Sequence, residues 1–330
     1  MTMFAHYVAS VNSIRLHYVS AGSGKPMLFL HGHPDFWYLW KDQLTHFAHT
    51  HHVIAPDLRG YNLSDKPPGV ADYRIPIVVE DIRSLADNLG LSAFTLVGHD
   101  WGAIVAWEFA ARHPDYLERL ITLSTAPLDV VRSSVRDPLQ RSRWTYQLML
   151  TSPQAEQILT AGDYYLYNLT VFGEFAHVPP GYFTEADRHA YHEAWSQPGV
   201  IRSSVNYYRA AHLLDYFTRA DRQAFLDTWT QPDWTIAGER FYEGLRLIDV
   251  WGEMRPLPPD DFHDDASDTR IEVPTMFIAG DWEEFGISNN TWFQDRIPHG
   301  VSIRVPDAGH RIIHERSELV TAYIEEFVAR

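Results

Sequence analysis

The sequence predicts a doubly wound α/β protein, a mostly parallel sheet flanked by helices, with an all-helical segment inserted into it. Three observations carry that prediction. Short apolar runs alternate with helical periodicity through the first third of the chain. This texture stops near Pro127 and returns near Val273. Between a buried-strand run and a helical run stands the tight sequence Gly98-His99-Asp100-Trp101-Gly102.

The elements follow in order. Ser13–Ser20 reads as a strand, and the turn Ala21-Gly22-Ser23-Gly24 leads into a second, Pro26–Leu30. Val53–Ala55 and Ala93–Val97 are short apolar runs suited to buried parallel strands. Between them, Ile77, Val78, Ile82, Leu85, Ala86 and Leu89 share one helical face. Trp101–Arg112 reads as a helix stopped by His113-Pro114, and Leu120–Leu123 as the next strand. From about Pro127 to Leu214 the chain is rich in Tyr, Trp and Arg with helical patterns, as expected of a helical insertion. Strands return at Val273–Ala279 and Val301–Val305, and a helix over Glu315–Ala329 closes the chain. Loops that follow strands gather at one edge of such a sheet, where ligands bind. His31–Pro34, Asp57–Asp65 and Gly98–Gly102 are therefore expected together.

Composition narrows the function classes. The 330 residues are 45% hydrophobic and 14% aromatic, enough for a substantial core. With 27 basic and 43 acidic residues the formal net charge is −16, which disfavours nucleic acid and anionic membrane as partners. With no cysteine there is no disulfide and no thiolate metal site. No leader-like segment and no run of about 20 apolar residues is seen, so a cytoplasmic protein is expected.

Three loops carry chemistry. The first has the frame of a nucleophile turn, with Asp100 where hydrolases commonly hold serine. A carboxylate is anionic at neutral pH and needs no base before it attacks. It suits displacement at a saturated carbon, giving an ester on Asp100. His310, in Asp307-Ala308-Gly309-His310, would then activate water against that ester, with Glu283 orienting the imidazole. Asp281 and Glu284 are alternatives for the acid. The backbone N–H groups of His33 and Trp101 are the expected oxyanion donors. No metal or cofactor is expected. The histidines of His46–His52 and the acidic run Asp260–Asp265 both read as solvated segments.

Several of these pieces together resemble the soluble epoxide hydrolases of the α/β-hydrolase superfamily, over most of the chain. They are His31-Gly32-His33-Pro34 followed by Trp37-Tyr38-Leu39-Trp40, then Pro56-Asp57-Leu58-Arg59-Gly60-Tyr61, then Gly98-His99-Asp100-Trp101-Gly102-Ala103, and finally Gly309-His310. The resemblance implies an α/β-hydrolase fold with a helical cap, core over residues 1–127 and 270–330, cap over 128–269. It implies an epoxide and water as substrates, a vicinal diol as product, and two cap tyrosines that protonate the epoxide oxygen. Asn206-Tyr207-Tyr208-Arg209 points to Tyr208 as one. Thr145-Tyr146-Gln147-Leu148 with Pro153 points to Tyr146 as the other, with Tyr164 as second choice. His31, Pro34, Trp37 and Tyr164 are expected along the substrate pocket.

Three departures stand out. His33 replaces the family's usual phenylalanine, Glu283 its usual aspartate, and the stretch 210–268 is longer than the family's cap needs. Two other functions fit the same frame. A haloalkane-type dehalogenase would use the same Asp-ester chemistry, but would usually want Asn or Trp near position 33. A non-catalytic receptor would not need the full set of Asp100, Glu283 and His310. A homodimer is left open.

Overall fold

The computed structural model describes residues 4–137, 140, 144, 146–173, 177–213, 217, 270–282 and 291–330. Eight strands form one sheet in the order β1-β2-β4-β3-β5-β6-β7-β8. They are β1 (Ala5–Val11), β2 (Ile14–Ala21), β3 (Lys25–Leu30), β4 (His51–Pro56), β5 (Phe94–His99), β6 (Leu117–Leu123), β7 (Thr275–Gly280) and β8 (Val301–Val305). The first two run antiparallel, and everything from β4 to β8 is parallel. Strands β5 and β7 are buried along their whole length, which is why they read as unbroken apolar runs. β1 was not anticipated. Most of its residues are exposed at the sheet edge, so it lacks the hydrophobic alternation that marks a half-buried strand.

Helices α1 (Lys41–Phe47), α2 (Ile75–Asn88) and α3 (Trp101–Arg112) pack on the sheet. α2 turns Val78, Ile82, Leu85 and Ala86 inward as its periodicity foretold, with Val79 beside them, while Ile77 and Leu89 are only half-buried. Between β6 and β7 in chain order come α4 (Leu128–Arg136), α5 (Tyr146–Thr151), α6 (Ala155–Phe172), α7 (Glu185–Trp195) and α8 (Val200–Ala210). They are tied to the loops that follow β3 and β4. Trp195 Nε1 donates to Pro34 O at 2.7 Å, Tyr191 OH to Asp35 Oδ1 at 2.8 Å, and Tyr207 OH to Arg59 O at 2.9 Å. The helical layer therefore sits over the end of the sheet where the chemical loops emerge. Residues 218–269, which hold most of the long stretch and the Asp260–Asp265 run, lie outside the described residues.

The closing helix begins two residues later than its periodicity suggests. A short helix, Ile312–Glu315, precedes Ser317–Ala329, and Arg316 between them leaves the helical region at φ −139°. No helix among the described residues is long and apolar enough to cross a membrane.

Candidate active site

The site is built outward from Asp100. β5 runs into it and α3 starts immediately after it, so the residue sits on a reversal with φ 53° and ψ −121°. That conformation is strained for an L-residue and projects the carboxylate above the sheet end. The flanking glycines make it sterically feasible. A Cβ at Gly98 would stand 2.3 Å from Gly102 O, and one at Gly102 would stand 2.3 Å from Leu30 O. A third glycine is equally constrained, since a Cβ on Gly32 would lie 2.2 Å from Asp100 Oδ1.

Each oxygen of Asp100 has its own neighbour. Oδ1 accepts a 2.7 Å hydrogen bond from the backbone N–H of His33. Oδ2 lies 3.6 Å from Nε2 of His310, an ion-pair spacing rather than a tight hydrogen bond. Burial pushes the Asp100 carboxyl up, but the His310 and His99 imidazoles and the His33 N–H outweigh it, and its pKa ends below the ordinary value. The carboxylate is thus ionised at neutral pH, the state an attacking carboxylate requires.

His310 is steered by its backbone. His99 Nε2 donates to His310 O at 2.8 Å, and the two rings lie 4.9 Å apart. Burial, reinforced by His310, pulls His99 down to about 4, so it stays neutral and serves as this donor. The next turn is fastened by Glu315, whose carboxylate accepts from the N–H groups of Gly309 and Arg311.

A single cavity is lined by Asp100, Trp101, His310, Tyr146, Tyr208 and Gln147, among others. The Tyr146 and Tyr208 rings meet edge to face at 6.2 Å, and Tyr208 stands edge-on to Trp101 at 4.9 Å. Burial, and then the nearby Asp100 charge, push the Tyr208 phenol well above its ordinary pKa, so it keeps its proton. Its neighbour Tyr207 faces away and is committed to Arg59 O. Successive residues on α8 point about 100° apart, so only one of the pair can reach the cavity.

Other residues expected at the site lie elsewhere. Tyr164 follows a left-handed turn inside α6, where Gly162, Asp163 and Tyr164 have φ of 58°, 58° and 60°, and its ring packs on His192 and Trp195. That turn swings it away from the Asp100 cavity. His31 is consumed in tying loops together: its Nε2 accepts from Leu58 N at 3.0 Å, and its Nδ1 donates to Gly32 O at 2.9 Å. Trp37 packs on Phe4 and His6, with its N–H bonded to Asp57 Oδ1 at 3.1 Å. Pro34 borders a second, smaller cavity. Glu283 and Glu284 lie outside the described residues, whereas Asp281 is described and exposed.

One group escaped the sequence reading. Asp35, just after His31-Gly32-His33-Pro34, forms a fully buried ion pair with Arg311, the neighbour of His310, with Arg311 Nη2 2.6 Å from Asp35 Oδ1. Tyr191 of α7 donates to the same oxygen. The pair joins the β3 loop, the histidine loop and the helical layer. Both partners sit beside singled-out residues, but nothing in one sequence pairs positions 276 residues apart.

The family model for the alpha/beta hydrolase fold matches residues 25–317. The chain belongs to the α/β-hydrolase family. Several of the relatives it matches within that family are named epoxide hydrolases. It is 37% identical over 209 residues to Epoxide hydrolase 2 of Caenorhabditis elegans, covering 62% of this chain and 59% of that protein. It is 34% identical over 210 residues to the Soluble epoxide hydrolase of Corynebacterium sp. (strain C12), covering 63% of this chain and 72% of the relative. The chain thus spans little more than half the length of the first curated relatives it matches, 59% and 54%. Among solved structures, an epoxide hydrolase of Bacillus megaterium bound to an inhibitor superposes with a TM-score of 0.76 at 28% identity, over 98% of this chain and 100% of that one.

Proposed function

We propose that the protein is an epoxide hydrolase, converting an epoxide and water to a vicinal diol through an ester on Asp100. The observation that carries this reading is the single cavity onto which Asp100, His310, Tyr146 and Tyr208 all open. A nucleophile and histidine alone would serve any Asp-ester hydrolase. Two phenol groups in the same cavity as the nucleophile suit a leaving group that must be protonated as it departs.

The first step forms a bond from Asp100 Oδ2 to an epoxide carbon while the C–O bond of the ring breaks. The alkoxide takes a proton from Tyr208 or Tyr146. An alkoxide is more basic than a phenolate, so the transfer runs downhill even from Tyr208, which burial has made a weaker acid. Oδ1 becomes the ester carbonyl oxygen and keeps its hydrogen bond from His33 N, where negative charge develops when water attacks. His310 takes one proton of that water as the water oxygen bonds the carbonyl carbon. The ester C–O bond then breaks, and the departing diol alkoxide takes that proton back from His310. The second proton, released from the Asp100 carboxyl, returns to the tyrosine phenolate. The 3.6 Å gap between Nε2 and Oδ2 leaves the imidazole close to the ester without locking it to the free carboxylate. The acid that orients His310 is Glu283 in this scheme, with Asp281 and Glu284 as alternatives. Helices α4 to α8 belong to the cap, which in this scheme supplies the tyrosines and excludes water.

Incubation with styrene oxide should release phenylethanediol, and the His310→Gln variant should accumulate protein carrying the mass of one epoxide. Halide release from a bromoalkane with no diol from any epoxide would replace this reading by dehalogenation. Binding without either product would make the protein a receptor.

A further inference from the structure

The Asp100 cavity holds a polar side chain that the ester chemistry leaves unused. Gln147 of α5 borders it together with Asp100, His310, Tyr146 and Tyr208. The residue is buried, with 1% of its surface exposed. Its side-chain carbonyl Oε1 makes no hydrogen bond among the described residues. Its backbone, by contrast, is anchored, since Gln147 O accepts from Thr151 Oγ1 at 2.7 Å.

A buried amide carbonyl without a partner costs about 1–3 kcal/mol, a cost that an apolar side chain of similar volume would not carry. The amide is also adaptable. A half-turn about its last torsion exchanges a carbonyl acceptor for an N–H donor, so it can serve either kind of partner. A charged partner is disfavoured. Asp100 is ionised in the same cavity, so an anion is repelled, and a cation would pair with the nucleophile itself. Ile104, Val131, Trp144 and Leu213 make the remaining wall largely apolar. The ligand that suits this space is therefore mostly apolar and carries one uncharged hydrogen-bonding atom. Gln147 directly follows Tyr146, and consecutive Cα atoms stand about 3.8 Å apart. With Tyr146 at the epoxide oxygen, the amide next to it meets the arm of the substrate close to the ring.

We propose that Gln147 is a specificity residue of the Asp100 cavity, whose amide hydrogen-bonds an uncharged oxygen on the arm of the epoxide near the ring. It selects oxygen-bearing epoxides, such as ethers, over all-carbon ones of the same length. A site that hydrogen-bonds a substrate atom discriminates against the analogue lacking it, because its own polar group is then left unpaired. The substrate class rests on the proposed epoxide hydrolysis, whereas the binding test does not.

The test is binding of matched diols, the products such epoxides would yield, followed by the fluorescence of Trp101 and Trp144, which border the same cavity. Octane-1,2-diol is compared with three ether diols of equal length, in which oxygen replaces the methylene at chain position four, five or six. Position is varied because an ether is less hydrophobic than the methylene it replaces, a penalty that all three ethers share. In the wild-type protein one oxygen position should bind about two- to tenfold more tightly than the other two, the worth of one hydrogen bond. Gln147→Leu should lose that preference and bind octane-1,2-diol at least as tightly as the wild type does. Gln147→Met should do the same, and it serves if the branched side chain disturbs α5. Equal affinity for the three ethers in the wild type overturns the proposal and leaves the amide to a water molecule. So does a preference that both variants retain, or no saturable binding of any diol. A wild-type preference without turnover of any epoxide would count against the proposed activity alone, and turnover with a flat profile against the role of Gln147 alone.

Discussion

Replacing Arg311 by Met tests how the histidine loop is held. The perturbation keeps the length and much of the volume of the side chain and removes its charge. Asp35 is then left fully buried, still accepting from Tyr191 OH at 2.8 Å. Stranding one member of a buried ion pair costs about 3–5 kcal/mol. The unfolding entropy of a chain of 330 residues is about 0.7 kcal/mol/K, so the melting temperature should fall by about 4–7 °C. The sign of the pH dependence follows from Asp35. Burial pushes its carboxyl up, but Arg311 more than reverses this and holds it far below the carboxylate range. In the native protein its stabilising contribution is therefore present above about pH 4 and lost as pH falls below that. Without Arg311, burial, the largest influence on Asp35, dominates, the folded pKa rises above the unfolded one, and the deficit narrows as falling pH protonates the carboxyl. Differential scanning calorimetry at about pH 8, 7, 6 and 5 should show wild type and variant converging. Asp35→Asn combined with Arg311→Met should recover part of the loss, because no charge is then stranded. An unchanged melting temperature in Arg311→Met, or a double variant weaker than the single one, would refute the reasoning.

Tyr208→Phe and Tyr146→Phe should each slow ester formation by about 10²-fold or more while leaving ester hydrolysis within about threefold, read by single-turnover quench. Equal slowing of both steps would assign the tyrosines to packing. Gly32→Ala should abolish turnover and lower stability, because the new methyl would stand 2.2 Å from Asp100 Oδ1. An active Gly32→Ala enzyme would mean that the loop after β3 can retreat. Glu315→Ala should lower kcat more than it raises KM, since its carboxylate fixes Gly309 and Arg311 on either side of His310 without reaching the cavity. A KM effect alone would contradict that role.

The sequence by itself marked the buried parallel strands and singled out Asp100 and His310 as the proposed nucleophile and histidine. Strands β3, β5 and β7 are continuous apolar runs because parallel strands are covered on both faces, and that pattern survives without any knowledge of neighbours. Asp100 was legible because its turn needs glycines on both sides, a steric demand written locally into Gly98 and Gly102. What only the tertiary structure decided depends on groups far apart in sequence. Tyr146 and Tyr164 both looked suitable for the second phenol. A left-handed turn at residues 162–164 sent one outward, while α5 carried the other to the Asp100 cavity. Tyr207 and Tyr208 are neighbours with opposite assignments, fixed by which face of α8 meets Arg59. The Asp35–Arg311 pair had no local signature. Desolvation gives both their significance, and burial is a property of the packed molecule rather than of either residue.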